Sequence, residues 1–274
     1  MKKLISISNF YIKSSLHLSL CVLSLIIITN LRFDLDFSYG LFVCIFCATI
    51  VVYNFIKYAS TLPYYFFTKN APVKKIQILS FISGFFLVFS VFFLKTNTIL
   101  IGFILFVLCL TYVVPLNRTS INIRNYSKVK IFIVAFCWAG ATILMPFAEN
   151  ARIDLWDNVW QFLQRFIFVF VYTLPFEIRD LEYDSIKLKT IPQVIGINKT
   201  KILAYLLLII FCVIGFFIDS GVSKFFLSDI IIAFTTAVLI SKTKLDQSKY
   251  YTSFLVEGLP IFWLIVILIV ENII

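Results

Sequence analysis

Nine stretches of this chain are apolar enough and long enough to cross a bilayer, and that constrains the fold more than any motif. They fall at about 14–31, 39–60, 76–94, 98–116, 129–148, 159–177, 201–218, 225–240 and 255–273. A hydrocarbon core of roughly 30 Å needs about 20 helical residues to span it. Backbone groups in lipid must be satisfied within the segment or in a closed barrel, and none of these runs alternates with a period of two, so helices are expected. The eighth run is the shortest and carries Asp229. The first follows Lys2 and Lys3 as a signal peptide would, but "TNLRFD" after it has no small-residue cleavage site, so it counts as helix one. With 61% apolar and 14% charged residues, lipid is the main solvent of the chain. The expectation is an all-α, multi-pass membrane protein: one domain over 1–274, a bundle of about nine transmembrane helices around a central cavity.

The basic residues set its orientation. Placing the N-terminus and the second, fourth, sixth and eighth loops on one side collects 19 of the 24 Lys and Arg there. Arg32, Lys95, Arg152, Arg165 and Lys224 remain opposite, with acids such as Asp34, Glu149 and Asp219. The positive-inside rule makes the richer side cytoplasmic, in a membrane expected to be the bacterial inner membrane. The net charge of +10 therefore reports topology. Nucleic acid is not an expected partner, because its binding needs a basic soluble face. The loops of the basic side hold most of the polar residues, those opposite read as short and plain, and chemistry is expected on the basic side.

The six cysteines all lie in apolar runs, where they behave as small hydrophobes. Cys44 and Cys47 form a C-x-x-C without partner ligands, and the single histidine, His17, cannot build a metal site alone. "WAGAT", 138–142, brings small residues into the fifth run, which suits close helix packing.

Four carboxylates and an arginine gather in "PFEIRDLEYD", 175–184, at the end of the sixth run. If the helix continues through it, Glu177, Asp180 and Asp184 fall within about 60° of one another. Arg179 and Glu182 would then point elsewhere. Three converging carboxylates repel unless a cation joins them; Mg²⁺ takes one or two carboxylates and fills its remaining positions with water and phosphate oxygens. A solvated helix end with Arg179 paired locally would give the same string.

After these acids comes "TIPQVIG", Thr190–Gly196. With it the chain resembles the UbiA superfamily of intramembrane prenyltransferases, whose second acidic motif, D-x-x-D-x-x-x-D, precedes a Thr-(Leu)-Pro-x-x-x-Gly loop. "TYVVPLNR", 111–118, is similar to that family's Tyr-x-x-Pro turn. The resemblance implies nine helices, a Mg²⁺-bound polyprenyl diphosphate at the cytoplasmic mouth of a cavity, ionisation of the allylic C–O bond, and transfer of the prenyl group to an acceptor whose identity the sequence leaves open. Glu177, Asp180 and Asp184 are then metal ligands.

The family's first motif, N-D-x-x-D-x-x-x-D, corresponds to "YNFIKYASTL", 53–62, where Asn54 keeps the leading position and Phe55, Tyr58 and Leu62 replace the acids. Asn54 and Lys57 share a helical face. Lys57 is a candidate diphosphate ligand standing where a metal would sit, a lysine snorkelling to the interface, or an internal partner of Glu177 or Asp180. Arg118, Lys187 and Lys189 are further diphosphate candidates. Two function classes follow: a prenyltransferase or related isoprenoid enzyme such as a membrane terpene cyclase, and a non-catalytic protein of the same fold that binds an isoprenoid lipid.

Overall fold

Lipid offers a backbone no partner but itself, and the computed structural model answers with helix. It describes residues 9–58, 71–113, 127–152, 155–183, 188–248 and 250–273, among which there is no strand. The apolar helices are α1 (Leu16–Phe33), α2 (Tyr39–Tyr58), α3 (Ala71–Val91), α4 (Thr96–Val113), α5, α6 (Leu155–Arg179), α7 (Ile197–Ile218), α8 (Lys224–Lys242) and α9 (Leu259–Ile273). Helix α5 runs as Ser127–Ala139, a π-helical stretch Gly140–Leu144, and Met145–Glu149. Eight of these spans are long and apolar enough to cross a membrane, and α4 adds a shorter apolar stretch, Thr96–Leu110. The chain is thus an all-α, multi-pass membrane protein, and the run carrying Asp229 is a full span.

Most helices pack on their neighbours in sequence, and α9 returns to α1 and closes the ring. Helix α3 leans on α2 rather than on α4. Helix α1 is enclosed, with Cys21, Leu25, Ile26 and Ile28 fully buried. Phe81, Phe85, Phe92, Phe103 and Phe217 point outward, as a lipid-facing surface allows. The small residues of α5 do pack closely: a Cβ on Gly140 would come within 2.7 Å of the Leu105 side chain. At the same π-helical turn the Thr142 carbonyl accepts the Thr29 hydroxyl at 2.7 Å, tying α5 to α1.

The face away from Lys57 corrects one expectation. Its loops carry more than plain connections: Arg32 at the end of α1 forks onto Asp219, donating from Nε at 3.0 Å and Nη2 at 2.9 Å. It also reaches both oxygens of Asp229 in α8, at 3.3 and 3.0 Å. Gln164 of α6 donates to Asp229 at 2.7 Å. The three charged side chains are almost fully buried. Arg165, assigned above to that face's charge, is a buried residue within α6. It donates to the Leu25 carbonyl at 2.9 Å and lies over the Trp263 ring at 5.1 Å. Glu149 accepts from the Lys95 N–H and the Thr98 hydroxyl, placing its negative charge at the N-terminus of α4 where the helix dipole favours it.

The ion network touches α7 so closely that a Cβ on Gly215 would clash with Asp229 Oδ2 and Gln164 Nε2. Gly215→Ala is expected to cost about 1–3 kcal/mol by overpacking. Arg32→Met, which leaves two buried carboxylates without their cation, is expected to cost about 3–5 kcal/mol. Thermal unfolding of the detergent-purified variants checks both, and equal midpoints for Arg32→Met and the parent would contradict the network's role.

Candidate functional site

At the opposite face, the ends of α1, α2, α6 and α9 converge. Ser15, just before α1, holds a left-handed backbone (φ 61°) that is uncommon for a residue with a side chain. That turn joins helical residues 9–13 to α1 and aims the serine hydroxyl inward. The hydroxyl donates to Asn54 Oδ1 at 2.9 Å and accepts from Lys57 Nζ at 3.0 Å. Asn54 is fully buried and donates onward to the Ser80 hydroxyl of α3 at 2.9 Å. Asn54 and Lys57 thus do share a face, and one serine organises both.

Across the bundle, α6 ends at Arg179 and the chain tightens into a 3₁₀ turn over Asp180–Glu182. The α-helical wheel that would align Glu177, Asp180 and Asp184 therefore does not extend past Arg179, and Arg179 does not point away. Its guanidinium takes both Asp180 oxygens, at 2.7 and 3.0 Å, and donates to the Thr252 hydroxyl at 2.6 Å. Glu177 is buried, and its Oε2 accepts the Ile191 N–H at 3.3 Å. That N–H opens the one-turn helix Ile191–Ile195 of "TIPQVIG", whose capping box pairs Thr190 with Gln193 and whose closing Gly196 takes φ 82°. The acidic segment and the loop behind it are one hydrogen-bonded unit. Lys189, just before that cap, is exposed with φ 51°.

The residue that sequence reasoning missed is Glu257. The chain passes through π-helical Tyr251–Val256 before α9, and Glu257 follows this segment, its N–H donating to the Thr252 carbonyl at 2.9 Å. π-helical turns often occur at functional sites. The signal in the sequence was an acid within the ninth apolar run, where ionisable residues are costly. His17, the single histidine, is buried, within hydrogen-bond distance of the Tyr11 hydroxyl at 2.9 Å and the Phe254 carbonyl at 3.1 Å.

Beneath this polar mouth lies apolar space. A cavity of about 650 Å³ opens beside Ser80, bounded by Val51, Phe55, Gly84 and Phe85. It shares Val52, Phe106 and Cys109 with a second cavity of about 350 Å³ that continues to Thr98 and Met145 near the Arg32 face. Volumes of this size suit small ligands.

As to Mg²⁺, both Asp180 oxygens are held by Arg179, Glu177 Oε2 is held by a backbone N–H, and Lys57 brings positive charge to the facing helix. Among the described residues no three His, Cys, Asp or Glu side chains gather as a metal site. As arranged, these residues do not fit the ion. Asp184, Arg118 and Lys187 lie outside the described residues.

Together these features define a class: a multi-pass membrane protein with a polar cluster at one face and apolar cavities beside it. The chain is similar in structure to a digeranylgeranylglyceryl phosphate synthase, with a TM-score of 0.57 and 14% sequence identity over 100% of this chain and 98% of that one. The two share their fold over the whole chain. No protein-family profile matches the sequence, and no curated protein matches it.

Ser15→Ala would leave the buried Asn54 carbonyl without its donor and is expected to cost about 1–3 kcal/mol. Ser15→Thr, which keeps a hydroxyl, should cost less in the same thermal-unfolding measurement unless the added methyl disturbs the left-handed turn. An unchanged midpoint for Ser15→Ala would show that the serine does not organise the mouth.

Proposed function

We propose that this chain is a membrane prenyltransferase-like protein that binds a polyprenyl diphosphate at the Lys57 face and transfers its prenyl group to an acceptor. One observation carries this reading: a hydrogen-bonded chain runs from the Lys57 ammonium through Ser15 and Asn54 to Ser80, and Ser80 lines the apolar cavity beside Gly84. An amphiphile with an anionic head and a hydrocarbon tail matches that gradient. Two things support the isoprenoid choice: the shared fold with a synthase whose named product carries geranylgeranyl groups, and the motif resemblance at Glu177, Asp180, Asp184 and "TIPQVIG". The basic residues of this face favour a cytoplasmic orientation under the positive-inside rule.

In this reading Lys57 contacts the diphosphate, and Ser15 and Asn54 hold the lysine in place. Arg179 adds a second positive charge from α6. These fixed charges stabilise negative charge as it develops on the departing diphosphate, in a site with little competing water. The apolar walls hold the tail and keep water from the allylic carbon. Arg118, Lys187 and Lys189 are candidates for the same head group. Mg²⁺ would reach it only through an arrangement other than the one described, and no step here is routed through it.

A specific observation favours a second reading, a protein that binds an isoprenoid lipid without turnover: the Arg179–Asp180 pair satisfies the acid that the family pattern assigns to metal. Diphosphate release from geranylgeranyl diphosphate, measured with and without Mg²⁺, separates the two. Turnover supports the first reading, and binding without turnover under either condition supports the second.

Lys57→Ala is expected to weaken geranylgeranyl diphosphate binding about tenfold to a hundredfold, the worth of one charge-assisted hydrogen bond. Equal affinity by microscale thermophoresis would remove Lys57 from the site. A Cβ on Gly84 meets nothing within 4 Å. Gly84→Leu should therefore fold normally yet bind geranylgeranyl diphosphate more weakly than dimethylallyl diphosphate relative to the parent. An unaltered preference would place the tail elsewhere.

A further inference from the structure

We propose that Cys109 and Cys137 form a dithiol modification site inside the bilayer, which takes a lipid-borne hydroperoxide and closes to a disulfide joining α4 to α5. The site lies in the walls of the two apolar cavities and is independent of the prenyl-transfer reading.

All six cysteines are free, and their positions in apolar runs give each the character of a small hydrophobe. Packing sets two of them apart. The Cys109 thiol of α4 donates to the Cys137 sulfur of α5 at 3.5 Å. The helices come close there because Leu105, one turn before Cys109, seats on Gly140, nearly one turn beyond Cys137, where a Cβ would meet the leucine side chain at 2.7 Å. From that contact the sulfurs have to close by about 1.5 Å to bond, a movement of side chains on helices already in place.

A buried thiol sealed away from reagents is inert. These two are only half-buried, because they face the cavities. Both line the smaller cavity beside Tyr53 and Trp138, and Cys109 also lines the larger one. The larger cavity lies among α2, α3 and α4, and its walls include Phe81, Phe85, Val88 and Phe106, which are exposed on the lipid-facing surface. Cys109 is therefore the sulfur nearer to lipid, and Cys137 stands behind it.

That access sets the reagent. No charged side chain lines either cavity among the described residues. An oxidant arriving this way has to dissolve in hydrocarbon, as the hydroperoxide of an acyl chain does. The reaction balances in two steps. The Cys109 sulfur attacks the terminal hydroperoxide oxygen; the S–O bond forms, the O–O bond breaks, and the thiol proton leaves on the departing alcohol. The Cys137 sulfur then attacks the Cys109 sulfenic acid; the S–S bond forms, and the S–O bond breaks with loss of water that carries the Cys137 proton. The two thiols are oxidised by two electrons and the hydroperoxide is reduced by two. Helix α4 packs mainly on α5, so the cross-link fixes a helix that walls both cavities.

The test exposes the full chain in nanodiscs to cumene hydroperoxide, with hydrogen peroxide as the water-soluble comparison. The protein is then denatured, alkylated with N-ethylmaleimide and mapped by mass spectrometry. The expected result is four alkylated cysteines in place of six, with Cys109 and Cys137 recovered as one cross-linked peptide. Dithiothreitol should restore all six. Cumene hydroperoxide should act faster than hydrogen peroxide at equal concentration. In Cys137→Ser the reaction should stop at a Cys109 sulfenic acid, trapped as its dimedone adduct, whereas Cys109→Ser should give no adduct on Cys137. The oxidised parent should unfold at a higher temperature than the reduced one, and neither serine variant should show that rise. Alanine replaces serine in any variant that does not purify. Six alkylated cysteines after cumene hydroperoxide, or oxidation confined to the other cysteines, would overturn the dithiol site. Faster oxidation by hydrogen peroxide would overturn the lipid route, and an unchanged unfolding temperature would overturn the fixing of α4.

Discussion

The bundle depends on how it places charge where lipid would exclude it. Arg32 carries the largest share, holding Asp219 and Asp229 within the protein, with Gln164 completing the network. Removing Arg32 would leave two buried carboxylates without their cation, and through it α1, α6, α7 and α8 are tied to one another at that face. Glu149 adds α4 and α5 to the same end through the α4 N-terminus. With one face fixed in this way, the ends of α1, α2, α6 and α9 at the other are positioned firmly enough to hold a site.

The mouth has a different electrostatic logic. Where the resemblance implies facing carboxylates drawn together by metal, the described residues put Lys57 on the Ser15 hydroxyl and pair Arg179 with Asp180. Cations that belong to the chain do not have to be recruited and can stabilise an anion directly. The left-handed turn at Ser15 and the π-helical turn at 251–256 are local departures from regular helix, and each delivers one half of this arrangement. Such departures persist where surrounding structure over-determines them.

Much of this was legible in the sequence, and the misses have definite causes. Eight of the nine expected spans were readable because hydropathy over a whole helix sums many small transfer free energies of the same sign, and the fourth run is a shorter apolar helix. The pairing of Asn54 with Lys57 was readable because α2 stays helical through Tyr58. The sequence did not fix where α6 gives way to a 3₁₀ turn, nor that Arg179 would take both oxygens of Asp180. Arg165 was read as part of the far face's charge because sequence gives a residue's position along a helix, not the carbonyl waiting across from it. Glu257 was passed over for the same reason: it stands alone in its run, and its significance lies in which helices surround it.

By itself, the sequence determined that this chain lives in lipid as a helical bundle and that Glu177 and the "TIPQVIG" loop belong near one another. Those properties follow from local hydrophobicity, charge and short-range spacing. Only the tertiary structure decided which charges are paired with which. That depends on contacts between residues far apart in the chain, such as Arg32 with Asp229 or Arg179 with Thr252, whose geometry exists only once the helices have packed.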